Sequence, residues 1–248
     1  MIKLVLFDLG NTLVDYHRGP PSDAEKDFAG LSAMAEILAQ RGTPVSCELL
    51  VERFYRPLEA IMEARRGQAR ESPLEPLLAK LPGVREEDAD LHRELLLAFQ
   101  AKTAELAVAL PAADMLRRAA AQGVHTALAS NTPLPGYCHD LTLRRLGLLH
   151  LLERRFYSYE LGLRKPSLEF IEHCLGVFAV SPEQTLMVGD SLELDVAPAR
   201  ALGMNTLHLS RDHGAENARA IERWSDLLLT DSEAPAGRIC RARPDQSS

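Results

Sequence analysis

The feature that most constrains this chain is a set of short apolar runs that each stop at a polar residue. Residues 3–7 end in Asp8, residues 125–129 end in Ser130-Asn131-Thr132, and residues 185–188 end in Gly189-Asp190-Ser191. Each run is rich in Val, Leu or Ala and lacks strict alternation, as a central parallel strand does when helices cover both of its faces. Residues 205–209 form a further candidate and residues 155–158 a weaker one. Helical patterns separate the later runs, over residues 112–122, 167–178 and 194–202. Strand alternating with helix predicts an α/β fold, a Rossmann-like parallel sheet with right-handed crossovers. In such a sheet the polar strand ends converge on one edge, at the crevice where open α/β sheets bind their ligands.

Between residue 15 and about residue 110 the texture changes. Strand-like runs give way to long helical patterns rich in Ala, Leu, Glu and Arg, over residues 23–40, 47–65 and 86–106. Pro57 is expected to kink or split the second of these. Pro20-Pro21 opens the region, Pro73, Pro76 and Pro82-Gly83 punctuate it, and Pro111 marks the return to the α/β pattern. The reading is a helical insert over residues 16–110, within the size range of a small domain. It interrupts an α/β core made of residues 1–15 and 111–230. From residue 231 onward the chain carries Pro, Gly, Ser and mixed charge without apolar period, and is expected to be a loosely ordered tail.

Composition narrows the function classes. Asp plus Glu number 35 against 28 Lys plus Arg, a net charge of -7. That balance speaks against nucleic acid as the main partner, because phosphate backbones select basic surfaces. It leaves room for a small anionic substrate at a locally positive site. Lys3 and Asp8 interrupt the apolar start, so neither a signal peptide nor a membrane span is read there. Cys47, Cys138, Cys174 and Cys240 are widely spaced and form no CxxC pair, which fits unpaired thiols in a cytoplasmic setting. The eight histidines show no metal-binding spacing. The basic cluster Arg65, Arg66 and Arg70 could line a substrate cleft, but a solvated helix end is the preferred reading.

The strand ends supply Asp8, Ser130 with Asn131, and Asp190 with Ser191 and Asp195. Lys165, in the loop Gly162-Leu163-Arg164-Lys165-Pro166, adds an ammonium. These types suit phosphoryl transfer. Two carboxylates on adjacent strands can share Mg²⁺, and a carboxylate is a competent nucleophile toward phosphorus. Lys165, the Ser130 hydroxyl and the backbone N–H groups of the Leu9-Gly10 turn would supply counter-charge and donors to the phosphate. Ser130 is also eligible as a helix N-cap.

With those residues in view, the chain resembles the haloacid dehalogenase-like (HAD) hydrolase superfamily. Its four motifs occur in order: Asp8 in FDLGNTL, Ser130 in ALASN, Lys165 in GLRKP and Asp190 in VGDSLELD. The insert resembles the superfamily's helical C1-type cap. The resemblance implies that Asp8 is the nucleophile and a Mg²⁺ ligand, with the backbone carbonyl of Gly10 and the carboxylate of Asp190 as further ligands. Asp195 would hold a metal-bound water or orient Lys165. Ser130 and the Asn131 amide N–H would bind the phosphoryl group, and Thr12 would brace the first loop. Asp15 and Tyr16 fall where the superfamily has a mobile flap. The implied function is Mg²⁺-dependent hydrolysis of a small phosphorylated metabolite through an aspartyl-phosphate at Asp8.

One position departs from the pattern. Phosphatases of the superfamily commonly carry a second Asp where this chain has Gly10. That Asp protonates the leaving oxygen and later activates water, help typically worth roughly 10²- to 10⁴-fold. Four readings follow. The acid comes from elsewhere, with Asp15, Tyr16 and His17 nearest in sequence; it comes from substrate or water; catalysis has been lost and a binding or regulatory role kept; or the chain belongs to a non-phosphatase branch. An active phosphatase is the leading reading, and the non-catalytic binding protein its alternative.

Overall fold

The computed structural model describes residues 1–229, apart from Arg18, Arg66 and residues 211–213. The tail expected from residue 231, and Cys240 with it, lie outside the described residues.

Among the described residues there are seven strands: β1 (Leu4–Phe7), β2 (Val14–Asp15), β3 (Val108–Ala109), β4 (His125–Ser130), β5 (Arg154–Tyr157), β6 (Thr185–Gly189) and β7 (Asn205–His208). Five of them form one sheet in the order β5-β4-β1-β6-β7, with every pairing parallel. All five strands read from sequence are there, shifted by no more than a residue at either end. β1 lies at the centre, its Phe7 opposite Leu128 of β4 and Val188 of β6. That register brings the ends of three strands level, so Asp8, Ser130 and Asp190 leave the sheet on one edge.

Burial explains why β1 shows no alternation of polar and apolar residues. Val5 and Phe7 face one side, packed with Met115 and Leu116 of the helix Ala112–Ala121 and with Leu143 of the helix Gly136–Arg145. Leu4 and Leu6 face the other, against Phe170 and Ile171 of the helix Leu168–Phe178. Both faces are covered, so both sets of side chains must be apolar.

The segment between β2 and β3 is helical, and β2 and β3 pair antiparallel where the chain leaves and re-enters. A separate apolar cluster holds it together. Met34 and Leu38 of the helix Asp23–Gln40 meet Leu95, Leu96 and Phe99 of the helix Ala89–Thr103. The expected break at Pro57 takes the form of a wide π turn, Val51–Tyr55, placed directly before the helix Arg56–Ala64. The same device recurs at Leu192–Val196, before the helix Ala197–Ala201 and its Pro198. A proline ring clashes with the carbonyl four residues back, and a turn closed through the fifth residue back relieves that contact. The pattern over residues 86–106 is trimmed, with the helix starting at Ala89 behind its Asp88 cap. Among the described residues no helix is long and apolar enough to cross a membrane, and Cys47, Cys138 and Cys174 are free.

Candidate active site

Asp8 follows β1, and its N–H donates to the Val188 carbonyl of β6 at 2.9 Å, which ties the nucleophile candidate to the neighbouring strand. The chain then turns sharply, with Asn11 in the left-handed region at φ 58°. Asparagine tolerates that conformation better than most side chains do. Thr12 lies in this turn, buried, and its hydroxyl has no hydrogen-bond partner among the described residues.

Lys165 closes the constellation. Its Nζ donates to Asp8 Oδ1 at 2.8 Å and to Asp195 Oδ1 at 2.5 Å, and its side chain is 1% exposed. The other Asp195 oxygen accepts the Ser191 N–H at 3.0 Å. Asp195 rides on the second π turn and folds back onto the end of β6. A Cβ at Gly189 would lie 2.3 Å from Asp195 Cγ, so only glycine admits the carboxylate there. Carboxylate oxygens of Asp8, Asp190 and Asp195 lie within 4.8 Å of one another. Three acids thus gather in one small volume, and the Lys165 ammonium bridges two of them.

The electrostatics follow from that crowding. Burial pushes the Asp8 carboxyl up to about 7; Lys165 pulls it down, and the charges of Asp195 and Asp190 add to the rise. For Lys165, burial alone would favour the neutral amine, but Asp195 and Asp8 outweigh it and hold the ammonium charged. The donor set is all oxygen, with Asp195 buried, Asp8 and Asp190 half-buried, and it is short of positive charge, which matches a hard divalent cation rather than a soft one.

The remaining residues singled out from sequence are placed as follows. Ser130 ends β4, buried. It caps no helix, because the next one begins at Gly136 behind Pro135. The Asn131 side chain clamps the Lys165 backbone. Its Nδ2 donates to the Lys165 carbonyl at 2.8 Å and its Oδ1 accepts the Lys165 N–H at 2.9 Å. Of the three candidates for a replacement acid, Asp15 and His17 are engaged elsewhere. Asp15 Oδ1 accepts the His17 N–H, and the His17 ring meets Asp23 at 2.6 Å on an exposed surface. Tyr16 is the one that feels the charge of Asp8, although burial is the larger cause of its raised phenol.

One expectation is overturned. Arg65 is no part of a solvated helix end: it is 7% exposed, and its Nη1 donates to Glu71 Oε1 at 2.9 Å. Arg70 is exposed, and Arg66 lies outside the described residues. Sequence reasoning also passed over Glu71, Ser158 and His139. Glu71 sits among Gly, Arg and Pro in a loop without period, so nothing local marks it as buried. The His139 ring stacks on Tyr157 and bonds Thr132 Oγ1 at 2.7 Å. Its signal is equally absent, because a lone histidine on a helix carries none.

The geometry agrees with the comparisons. A model of the haloacid dehalogenase-like hydrolase family matches residues 2–203. The chain belongs to that family. Its curated relatives include a phosphoserine phosphatase of Thermus thermophilus, 28% identical over 240 residues, covering 88% of this chain and 93% of the relative. A ribulose-1,5-bisphosphate 5-phosphatase of Halopiger xanaduensis is 27% identical over 233 residues, covering 90% of this chain and 91% of the relative. Among solved structures, a 2-haloacid dehalogenase of Pseudomonas syringae superposes with a TM-score of 0.59 at 22% identity, over 90% of this chain and 100% of that one. That likeness speaks for the HAD fold alone.

Proposed function

We propose that this HAD-like hydrolase is a phosphatase, releasing phosphate from a small phosphorylated metabolite through an aspartyl-phosphate at Asp8. The observation that carries the reading is the Lys165 ammonium shared by Asp8 and Asp195, with Asp190 in the same cluster. Its support from outside the chain is that both long-coverage relatives are named phosphatases. The carboxylates of Asp8 and Asp190 and the Gly10 carbonyl would hold Mg²⁺, which when bound offsets the charge of nucleophile and phosphate together.

The chain's own groups then divide the work. An Asp8 oxygen attacks phosphorus, the bond from phosphorus to the leaving oxygen breaks, and water later frees the phosphate from Asp8. Lys165, held by Asp195, compensates charge on Asp8 and the phosphoryl oxygens. Ser130, the Asn131 N–H and the Thr12 hydroxyl are the donors for the phosphoryl group. The leaving oxygen finds no carboxylic acid at position 10, so substrates with good leaving groups, acyl or aryl phosphates, are favoured. In the same reading residues 16–110 act as a helical cap over the α/β core, the β2–β3 ribbon being the joint, and the cytoplasm is the working compartment. The non-catalytic alternative draws on Gly10 alone, and Gly10 removes neither the nucleophile nor a proposed ligand atom.

The test is phosphate release from a panel of sugar, acyl and aryl phosphates with Mg²⁺ present. Asp8→Asn is expected to abolish it, and EDTA to abolish it until Mg²⁺ is restored. Turnover that survives both changes would overturn the reading.

A further inference from the structure

Glu71 belongs to the helical insert, yet its carboxylate is spent on the α/β core. Its side chain is 1% exposed. Oε1 accepts from Arg65 Nη1 at 2.9 Å and from the Ser72 N–H at 3.0 Å. Oε2 accepts from the Ser158 hydroxyl at 2.5 Å and faces Arg164 Nε at 3.4 Å. Around it the backbone of residues 69–71 runs beside that of residues 162–164. Glu71 N–H donates to the Gly162 carbonyl at 3.2 Å and Arg164 N–H to the Ala69 carbonyl at 3.0 Å. Arg164 Nη1 reaches back to the carbonyls of Arg65 and Gln68.

Two of these contacts, to Ser158 and to Arg164, lead to loops of the candidate site. Ser158 Oγ accepts the Thr132 N–H at 2.7 Å. The single Ser158 proton has two acceptors in reach, and the charged Glu71 oxygen at 2.5 Å outcompetes the Thr132 carbonyl at 3.1 Å. That frees the Ser158 lone pairs to face Thr132 N–H in one orientation. Thr132 adjoins Ser130 and Asn131. On the other side Arg164 directly precedes Lys165, whose backbone Asn131 clamps. One carboxylate therefore braces the Ser130–Thr132 loop through Ser158 and the Lys165 loop through Arg164. Two guanidiniums with side chains 8% and 5% exposed depend on it for charge, and a buried ionic group of that kind holds its parts to one geometry.

We infer that Glu71 is a positioning residue for phosphoryl transfer, through which docking of the insert sets the relative placement of Ser130 and Lys165. The inference rests on the phosphatase reading above. Misplacing reacting groups by about 1 Å can cost roughly 10²-fold in rate, so bracing at this distance from the phosphorus registers in turnover.

The experiment is a double-mutant cycle of Glu71→Gln and Ser158→Ala. It follows para-nitrophenyl phosphate hydrolysis with Mg²⁺, with kcat and KM taken per folded protein and thermal melts alongside. Glu71→Gln is expected to lower kcat by about ten- to a hundred-fold with little change in KM. Ser158→Ala should lower it less, and the double variant should be no worse than Glu71→Gln alone, because both act along one path. A lower melting temperature with unchanged kcat, or losses that multiply, would make Glu71 a packing residue and overturn the inference. Should Glu71→Gln fail to fold, Ser158→Ala decides alone, since it deletes one hydroxyl; unchanged kcat there overturns the inference as well. Wild-type activity abolished by Asp8→Asn separates the two readings: without it the phosphatase reading falls, and with it only the role of Glu71 is at stake.

Discussion

Under the proposed phosphatase reading, Gly10 is the residue on which the rate is expected to turn. Its backbone does not occupy the left-handed region, and a Cβ built there would meet nothing within 4 Å. Neither conformation nor packing therefore demands glycine, and the missing carboxylate is a chemical property of this chain. Gly10→Asp should fold and should raise kcat on alkyl phosphates by about ten-fold or more, toward the 10²- to 10⁴-fold range of general acid catalysis. Aryl phosphates, whose leaving oxygen needs no proton, should change by less than about three-fold. The ratio of the two rates is the measurement. A ratio that does not move would assign the proton to another group, Tyr16 being the candidate that feels the Asp8 charge. At this scale Asp8 and Asp190 were legible because each ends or adjoins a short apolar run, and Lys165 and Asp195 because of the motifs that carry them, GLRKP and GDSLELD. The second task of Asn131, clamping Lys165 by its side chain, was not, since it depends on a loop 34 residues away.

Among the elements, the helix Asp23–Gln40 matches the residues read from its periodicity, and its start explains why. Ser22 accepts the Glu25 N–H, while the Glu25 carboxylate accepts the Ser22 N–H at 2.7 Å, a reciprocal cap visible as Ser-x-x-Glu. Ser22→Ala should cost about 1 kcal/mol, read as a lower urea midpoint at unchanged slope. A shift below about 0.3 kcal/mol would mean that the insert's apolar cluster, rather than the cap, sets the helix start. The π turns were only half legible. Pro57 announces an interruption, but at Pro198 none was expected, since residues 194–202 read as one helical pattern, and the structure opens that pattern with a π turn. This second turn carries Asp195 back toward Lys165.

At the level of the whole molecule, His139 reports how tightly the parts are assembled. Its ring lies between Tyr16, which follows β2, and Tyr157, which ends β5. Burial pushes the imidazole from 6.5 down to about 4, with Asp140 opposing and Arg65 of the insert adding to the fall. Between those two values the unfolded chain binds a proton that the folded one refuses. Stability present above about pH 6.5 should thus be lost as pH falls toward about 4, by roughly 3 kcal/mol in total. Urea melts of the wild type and His139→Gln at pH 7.5 and 4.5 test this. The variant should lose less on acidification, and equal losses would place the titration elsewhere.

The amino-acid sequence by itself determined the parallel sheet, the interruption by a helical insert, and the acids and lysine at one sheet edge. It did so because these depend on local period and on where apolar runs stop. Only the tertiary structure decided how those charges are shared: Lys165 between Asp8 and Asp195, Asn131 on the Lys165 backbone, and Arg65 turned inward to Glu71. Those partners lie up to 157 residues apart, and pairing of buried charges over such separations is set by which surfaces meet on folding, a quantity no local pattern encodes.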